Sequence, residues 1–404
     1  MKIFGPAPGY TLEPMRPRTV ELLEVPTGGD LQRLLPRLRA ALEGQGPALA
    51  PVAAGDHSQI ELLTSAFGIG TQLAPAEDDE HDPTAVVIAT SGSTGTPKGS
   101  LLPRSALLAS AQATQDRLGP PGSWLLTLPA QHIAGLQVLL RSIASGTTPH
   151  LMDTGRTFTP ERFVEATNAL PEGPRYVSLV PTQLHRILTD HTATAALATY
   201  TAVLVGGSAT ASDLLRRAGE AGATVRTTYG MSETCGGCVY DGIPLDGVTA
   251  TTDEDGRISL HGPVVGRGYR NRPGHPAFAR PGTYRTDDHG TWTDGRLRIV
   301  GRIDDVIITG GLKIAPAPVE DAIAELPSVA QVLLVGVPDA EWGQRLVAVV
   351  VPADPSRPPT LQDVQVAAGT ARPTAMMLVT NLPTRGPGKP DRRAAADLAA
   401  RRLA

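Results

Sequence analysis

A chain of 404 residues, 41% hydrophobic and 19% charged, has the length for two or three globular domains, which excludes a peptide hormone or a lone binding module. Glycine (43) and proline (37) together stay below the roughly 25–30% that marks disorder. A formal charge of −4 leaves no basic footprint for nucleic acid, so no nucleic-acid partner is expected and a small-molecule one is. No run reaches the ~18 apolar residues of a membrane span, and the start of the chain lacks the apolar stretch of a secretory signal. No membrane insertion and a cytoplasmic location are the expectation.

In chain order, Leu31, Leu34, Leu35, Leu38 and Leu42 recur at helical spacing and predict an amphipathic helix. Ala85 to Thr90 is a short apolar run that suits a buried strand, and it feeds a glycine-rich loop. Strand-like and helix-like segments then alternate: 124–128 before 136–143, 176–180 before 183–188, and 202–205 before 212–221. Such alternation predicts a mostly parallel α/β sheet. Residues 241–300 carry short strands around 257–260 and 296–300 between Gly, Asp and Pro turns, which reads as a small antiparallel β region. Beyond Gly301-Arg302-Ile303-Asp304-Asp305 the pattern gives a helix over 319–326, strands around 332–337 and 346–351, a loop over 352–359 and an Ala/Arg-rich terminal helix. The fold expected is α/β: a large N-terminal domain of α/β/α subdomains with a small β region over 1–302, and a small mobile α+β domain over 303–404.

The loop Thr90-Ser91-Gly92-Ser93-Thr94-Gly95-Thr96-Pro97-Lys98-Gly99 gathers hydroxyls, three glycines and one of only four lysines in the chain. Glycines let backbone N–H groups approach an anion, hydroxyls donate to its oxygens, and the ammonium neutralises charge, as a triphosphate requires. It is not the phosphate loop of kinases and GTPases, which needs Gly at Pro97 and Ser or Thr at Gly99. A flexible Gly/Ser linker is the plain alternative, but linkers rarely carry Pro-Lys-Gly straight after a strand. Cys235 and Cys238 are spaced like a redox or zinc pair, yet no second pair exists and the pair abuts Tyr229-Gly230-Met231-Ser232-Glu233; packing is the better reading.

The decapeptide resembles the signature of the adenylate-forming superfamily, the acyl-CoA synthetases, luciferases and peptide-synthetase adenylation domains. Four further blocks follow in the order of that family: Tyr229-Gly230-Met231-Ser232-Glu233, Tyr284-Arg285-Thr286-Asp287-Asp288, Gly301 to Asp305 with Gly310-Gly311, and Gly388-Lys389. The resemblance spans about residues 85 to 395. It implies ATP, Mg²⁺ and coenzyme A as cofactor and co-substrates. Ser91, Ser93, Thr94 and Lys98 would hold phosphates, and Thr94 with Glu233 would position Mg²⁺. Gly206, Gly207, Ser208, Thr228, Tyr229 and Gly230 would frame the adenine, while Asp288 and Arg302 would take the ribose hydroxyls. Lys389 would stabilise charge as a carboxylate attacks the α-phosphorus, Asp304 would be the hinge, and Gly310-Gly311 would pass the pantetheine. Members are often dimers, so a homodimer stays open.

Three features depart from the family pattern. Asp287 replaces a glycine, Leu312-Lys313 replaces Glu-Asn after the glycine pair, and only about 90 residues precede the loop, so part of the N-terminal subdomain is expected to be trimmed. Within the family the runs 128–147, 178–184 and 310–314 resemble the short actinobacterial o-succinylbenzoate–CoA ligases. That resemblance implies an aryl dicarboxylate as the small-molecule acid, with His132 gating the pocket and His132, Arg141, Arg175 and Thr234 as candidates for the second carboxylate. Ligation of another aryl or short-chain acid, loading of a carrier protein and non-catalytic nucleotide binding remain alternatives.

Overall fold

The structure is a computed structural model and describes residues 18–90, 96–385 and 389–403. Its first sheet has the order Val20–Val25, Ala48–Ala53, Thr84–Thr90, Lys98–Pro103, Gly268–Tyr269. The first three strands run parallel and the last two join antiparallel. In Thr84–Thr90 the first five residues are buried, which is why the sequence shows an unbroken apolar run rather than alternation. Thr90 pairs with Lys98 on the returning strand, so the glycine-rich loop closes a hairpin instead of opening a helix. That is a further difference from the kinase-type loop.

The second sheet has seven strands in the order Ile243–Pro244, Gly236–Tyr240, Val225–Met231, Ala202–Gly206, Arg175–Leu179, Ser123–Leu126, His150–Leu151. From Val225–Met231 onward neighbours are parallel; Gly236–Tyr240 returns antiparallel. The helices expected between these strands are Ile133–Ala144, Pro181–Ile187 and Ser212–Glu220. The leucines at 31–42 form two pieces, a 3-10 turn Gly28–Leu34 and a helix Leu35–Leu42. Pro36 sits at the join, where it lacks the N–H for an α-helical bond and disfavours helical backbone before it. The sequence reading passed over the helix Arg104–Leu118, because its inward face is built from Ala106, Ser110, Ala113 and Thr114 and shows little apolar contrast.

An antiparallel sheet follows, Thr249–Thr252, Arg257–His261, Thr283–Thr293 and Arg296–Arg302, where a small β region is expected. Beyond it come the turn Ile303–Asp305, a short hairpin Ile307–Thr309 with Leu312–Ile314, and the helix Pro316–Ala324. The strands Val329–Asp339 and Gly343–Pro352 form a long hairpin with Ala375–Leu378 beside it. The helix Leu361–Ala367 starts at Thr360, whose hydroxyl and amide exchange hydrogen bonds with Asp363. The final helix Arg392–Leu403 buries Ala395 and Ala399 against the long hairpin, small residues letting the helix approach closely. No helix among the described residues is long and apolar enough to cross a membrane.

Candidate active site

The carboxyl ends of the parallel strands Ser123–Leu126, Arg175–Leu179, Ala202–Gly206 and Val225–Met231 share one edge of the second sheet. Open α/β sheets take their ligands at that edge. Ser91, Ser93 and Thr94 lie outside the described residues, but the base of their hairpin is fixed. The Gly99 amide donates to Asn271 Oδ1 (3.2 Å), Asn271 Nδ2 donates to Pro97 O (2.9 Å), and the Arg270 amide donates to Gly99 O (2.8 Å). Lys98 Nζ stands 4.6 Å from the centroid of the Tyr269 ring, within cation–π range. The Tyr269 hydroxyl donates to Glu233 Oε1 at 2.6 Å and lies 3.3 Å from the Tyr284 hydroxyl. One tyrosine thus joins the loop lysine to the buried carboxylate. Burial, and then the charge of Glu233, raises the pKa of the Tyr269 phenol, which stays a donor.

Tyr269 and Asn271 escaped the sequence reading. They reach the loop through the two-residue strand Gly268–Tyr269, which pairs with Lys98–Pro103 some 170 residues away, and no local periodicity announces such a pairing.

Four residues beyond Tyr284 on the same strand is Asp288. Burial alternates along Thr283–Thr293, so Tyr284, Thr286 and Asp288 face inward and Asp287 outward, and of the two adjacent acids Asp288 is the one that meets Tyr229. Asp287 is held at 2.7 Å by Arg257. Asp288 is 8% exposed; Tyr229 donates to its Oδ2 at 2.7 Å and Arg302 Nη1 reaches Oδ1 at 3.5 Å. Burial pushes the Asp288 carboxyl above its ordinary range, against the opposing pull of the Tyr229 hydrogen bond and the Arg302 charge. Arg302 also donates through Nε and Nη2 to Asp304 at 2.8 and 2.9 Å. Thr228 and Gly230 lie on the strand of Tyr229, and Gly207 and Ser208 are exposed just past the end of Ala202–Gly206. A Cβ on Gly206 would stand 2.2 Å from Thr228 Oγ1, so only glycine lets the two strands keep this approach.

His132 is the N-cap of the helix Ile133–Ala144, at the turn after the strand Ser123–Leu126. Further along that helix Arg141 is 6% exposed, with its guanidinium 5.0 Å over the Trp124 ring and its Nε without a hydrogen-bond partner. No ion pair links it to a described carboxylate, and burial penalises its charge. Two other expected candidates are placed differently. The Thr234 hydroxyl accepts from the Met231 amide (3.0 Å) and donates to Gly236 O (2.9 Å), closing the turn under Glu233. Arg175 stands at the amino end of its strand, away from the ligand edge, and donates to Pro171 O and Leu170 O. Cys235 and Cys238 are fully buried in the main core, where burial pushes the Cys238 thiol up to about 12 and Cys235 higher still.

Gly310 and Gly311 form the two-residue turn of their hairpin with φ of +53° and +81°, a left-handed pair that glycine adopts without strain. Lys389 lies in a second hairpin, Thr384–Arg385 with Lys389–Pro390, its backbone paired to Arg385.

A loop lysine linked through Tyr269 to a buried carboxylate, and a buried acid in contact with an arginine, stand in an α/β fold of the class that binds nucleotides. Residues 35–269 match the model of the AMP-binding enzyme family, and residues 318–389 match the AMP-binding enzyme C-terminal domain. The chain belongs to the AMP-binding enzyme family. It is 44% identical over 380 residues, 92% of this chain and 96% of that protein, to the probable 2-succinylbenzoate–CoA ligase of Mycobacterium tuberculosis. Its fold is that of o-succinylbenzoate CoA synthetase from Bacillus subtilis in complex with its acyl-adenylate (TM-score 0.76, 23% identity, 94% of this chain and 88% of that one). The same enzyme with ATP and magnesium ion gives a TM-score of 0.74 at 22% identity, over 93% and 88% of the chains.

Proposed function

We propose that this chain is an ATP- and Mg²⁺-dependent acid–CoA ligase that converts 2-succinylbenzoate to 2-succinylbenzoyl-CoA through an acyl-adenylate, a step of menaquinone biosynthesis. The observation that carries the reading is the link Lys98–Tyr269–Glu233, whose Tyr269 hydroxyl meets that of Tyr284, four strand positions from Asp288. It separates an anion-binding pair from a hydroxyl-binding pair, as a nucleoside triphosphate requires. Lys98 with Ser91, Ser93 and Thr94 binds phosphate oxygens, and Asp288 with Arg302 binds the ribose beside Tyr229, Gly206, Gly207 and Ser208. Glu233 and Thr94, a carboxylate and a hydroxyl, are the oxygen donors a hard cation prefers and would hold Mg²⁺, which would supply charge neutralisation to the phosphates. Lys389 steadies the charge that develops as the substrate carboxylate displaces pyrophosphate. CoA sulfur then attacks the acyl carbonyl and AMP leaves.

The domain boundary falls at 302/303, the small domain turns about Asp304 between the two half-reactions, and Gly310-Gly311 admits the pantetheine. Of the candidates for the carboxylate that is not activated, His132 stands at the ligand edge, whereas Arg141 lies over Trp124, which pairs with Tyr176 beside Arg175 toward the amino end of the sheet. His132, at the head of the helix that carries Arg141, gates the pocket. The enzyme is placed in the cytoplasm, and a homodimer is the assembly to test by light scattering.

Pyrophosphate release and free-thiol loss with ATP, Mg²⁺ and CoA decide the reading, comparing 2-succinylbenzoate with benzoate, salicylate and a short fatty acid. Turnover confined to the dicarboxylate, with thiol lost in step, is expected. Turnover on another acid moves the substrate, pyrophosphate without thiol loss points to a carrier protein, and silence on every acid removes the ligase.

A further inference from the structure

The side chain of Arg392 is the most heavily bonded cation in the C-terminal part of the described chain. Its Nε donates to Asp305 at 3.1 Å, Nη1 donates to Leu334 O at 2.7 Å, and Nη2 donates to Glu320 Oε2 at 2.8 Å. Glu320 also accepts the Leu334 amide at 2.6 Å. One guanidinium therefore ties together three elements: the turn Ile303–Asp305, the helix Pro316–Ala324 and the strand Val329–Asp339. A guanidinium spreads five donors over three nitrogens in one plane and so reaches acceptors on three separate elements; an ammonium has three donors on a single nitrogen.

Arg392 opens the final helix two residues after the strand Lys389–Pro390 ends its pairing. Between them, the Asp391 amide donates to Pro383 O at 2.8 Å, and the Asp391 carboxylate accepts the Ala394 amide at 3.0 Å. The base of the Lys389 hairpin is thus pinned at Asp391 and Arg392, and three residues of extended chain span at most about 10 Å. The two neighbouring acids of the turn point to opposite sides: Asp304 binds Arg302, itself in contact with Asp288, while Asp305 binds Arg392.

From this arrangement we infer that Arg392 is a positioning residue for the first half-reaction: through Asp305 and Glu320 it fixes the base of the hairpin that presents Lys389 and registers it against the turn at the domain boundary. The inference rests on the reading of Lys389 as the adenylating lysine. A purely structural Arg392 would hold the small domain together and affect both half-reactions alike. A positioning Arg392 affects the one in which Lys389 acts.

The test measures three quantities on the full-length protein: 2-succinylbenzoate-dependent ATP–pyrophosphate exchange, thioester formation from CoA and chemically made 2-succinylbenzoyl-adenylate, and thermal unfolding. Arg392→Lys keeps the charge and loses the fork. Misplacing a catalytic group by about 1 Å costs on the order of 10²-fold, so exchange turnover is expected to fall by about that factor with KM for ATP unchanged. Thioester formation from the supplied adenylate stays within a few-fold of the parent. Asp305→Asn, which removes one of the ion pairs and leaves Glu320 in place, gives a smaller split in the same direction and carries the test if Arg392→Lys does not fold. Equal losses in both half-reactions, tracking the melting temperature, overturn the inference, as does unchanged exchange. Lys389→Ala is run alongside: exchange lost there but kept in Arg392→Lys defeats the Arg392 inference alone, whereas exchange kept in Lys389→Ala defeats the lysine assignment and the inference with it.

Discussion

Two arginines, one buried and one half-buried, sit under opposite conditions. Arg141, between the helices of the large N-terminal part, has an aromatic face beneath it, an unbonded Nε and no described carboxylate to pair with. Arg392, in the C-terminal part, meets two carboxylates and a carbonyl. Desolvation penalises both, and what differs is who compensates. The second is complete within the chain, so its role is to hold chain segments in register. The first has no such set among the described residues; its neighbour is the Trp124 ring, toward the amino end of the sheet.

The widest separation between the two should come from Arg141→Met. The guanidinium lies toward the amino end of the sheet, so kcat/KM for 2-succinylbenzoate is expected to stay within a few-fold of the parent. The melting temperature should hold or rise, since an uncompensated buried charge disappears. A lower melting temperature would remove the contrast. Tyr269→Phe leaves the ring over Lys98 and takes the donor from Glu233. Hydrogen bonds to charged groups are worth about 1.5–3 kcal/mol, so adenylation turnover should fall about 10- to 100-fold, read by pyrophosphate exchange.

Asp288 is an intermediate case, a buried acid with a partial set of partners. Its folded-state pKa is raised, so the stability it contributes is full below the ordinary carboxylate value of about 4 and is lost as pH rises through the raised value. Asp288→Asn should abolish that loss, and melting curves taken across this pH window should converge on the parent at the acid end and diverge above it. The least effect is expected at Cys235 and Cys238, buried and neutral: native protein at pH 8 should leave both unalkylated by iodoacetamide, and unfolded protein should modify both. Labelling of the native chain would place a thiol at the surface.

Much of the architecture was legible because it is written in local patterns. The buried apolar run before the glycine-rich loop, the alternation that built the seven-stranded sheet, and the β region after Tyr240 all follow from hydrophobic periodicity acting over five to fifteen residues. Where the period failed, so did the reading. Pro36 divided a leucine stripe that looks continuous, and the small and hydroxyl residues facing inward on Arg104–Leu118 hid a helix of 15 residues.

The sequence by itself determined the inventory of chemistry: a hydroxyl- and glycine-rich loop with Lys98, the acids Glu233 and Asp288, the cations Arg302 and Lys389, and the class of enzyme they imply. Tertiary structure alone decided their companions. It brought Tyr269 and Asn271 to the loop across some 170 residues, turned Asp288 inward and Asp287 outward, closed the Thr234 hydroxyl into a turn, and set Arg175 at the wrong end of its strand. It also left the buried Arg141 without an ion pair among the described residues and bound the half-buried Arg392 to three groups. Burial and partner count are properties of packed neighbours distant in sequence, and no window along the chain contains them.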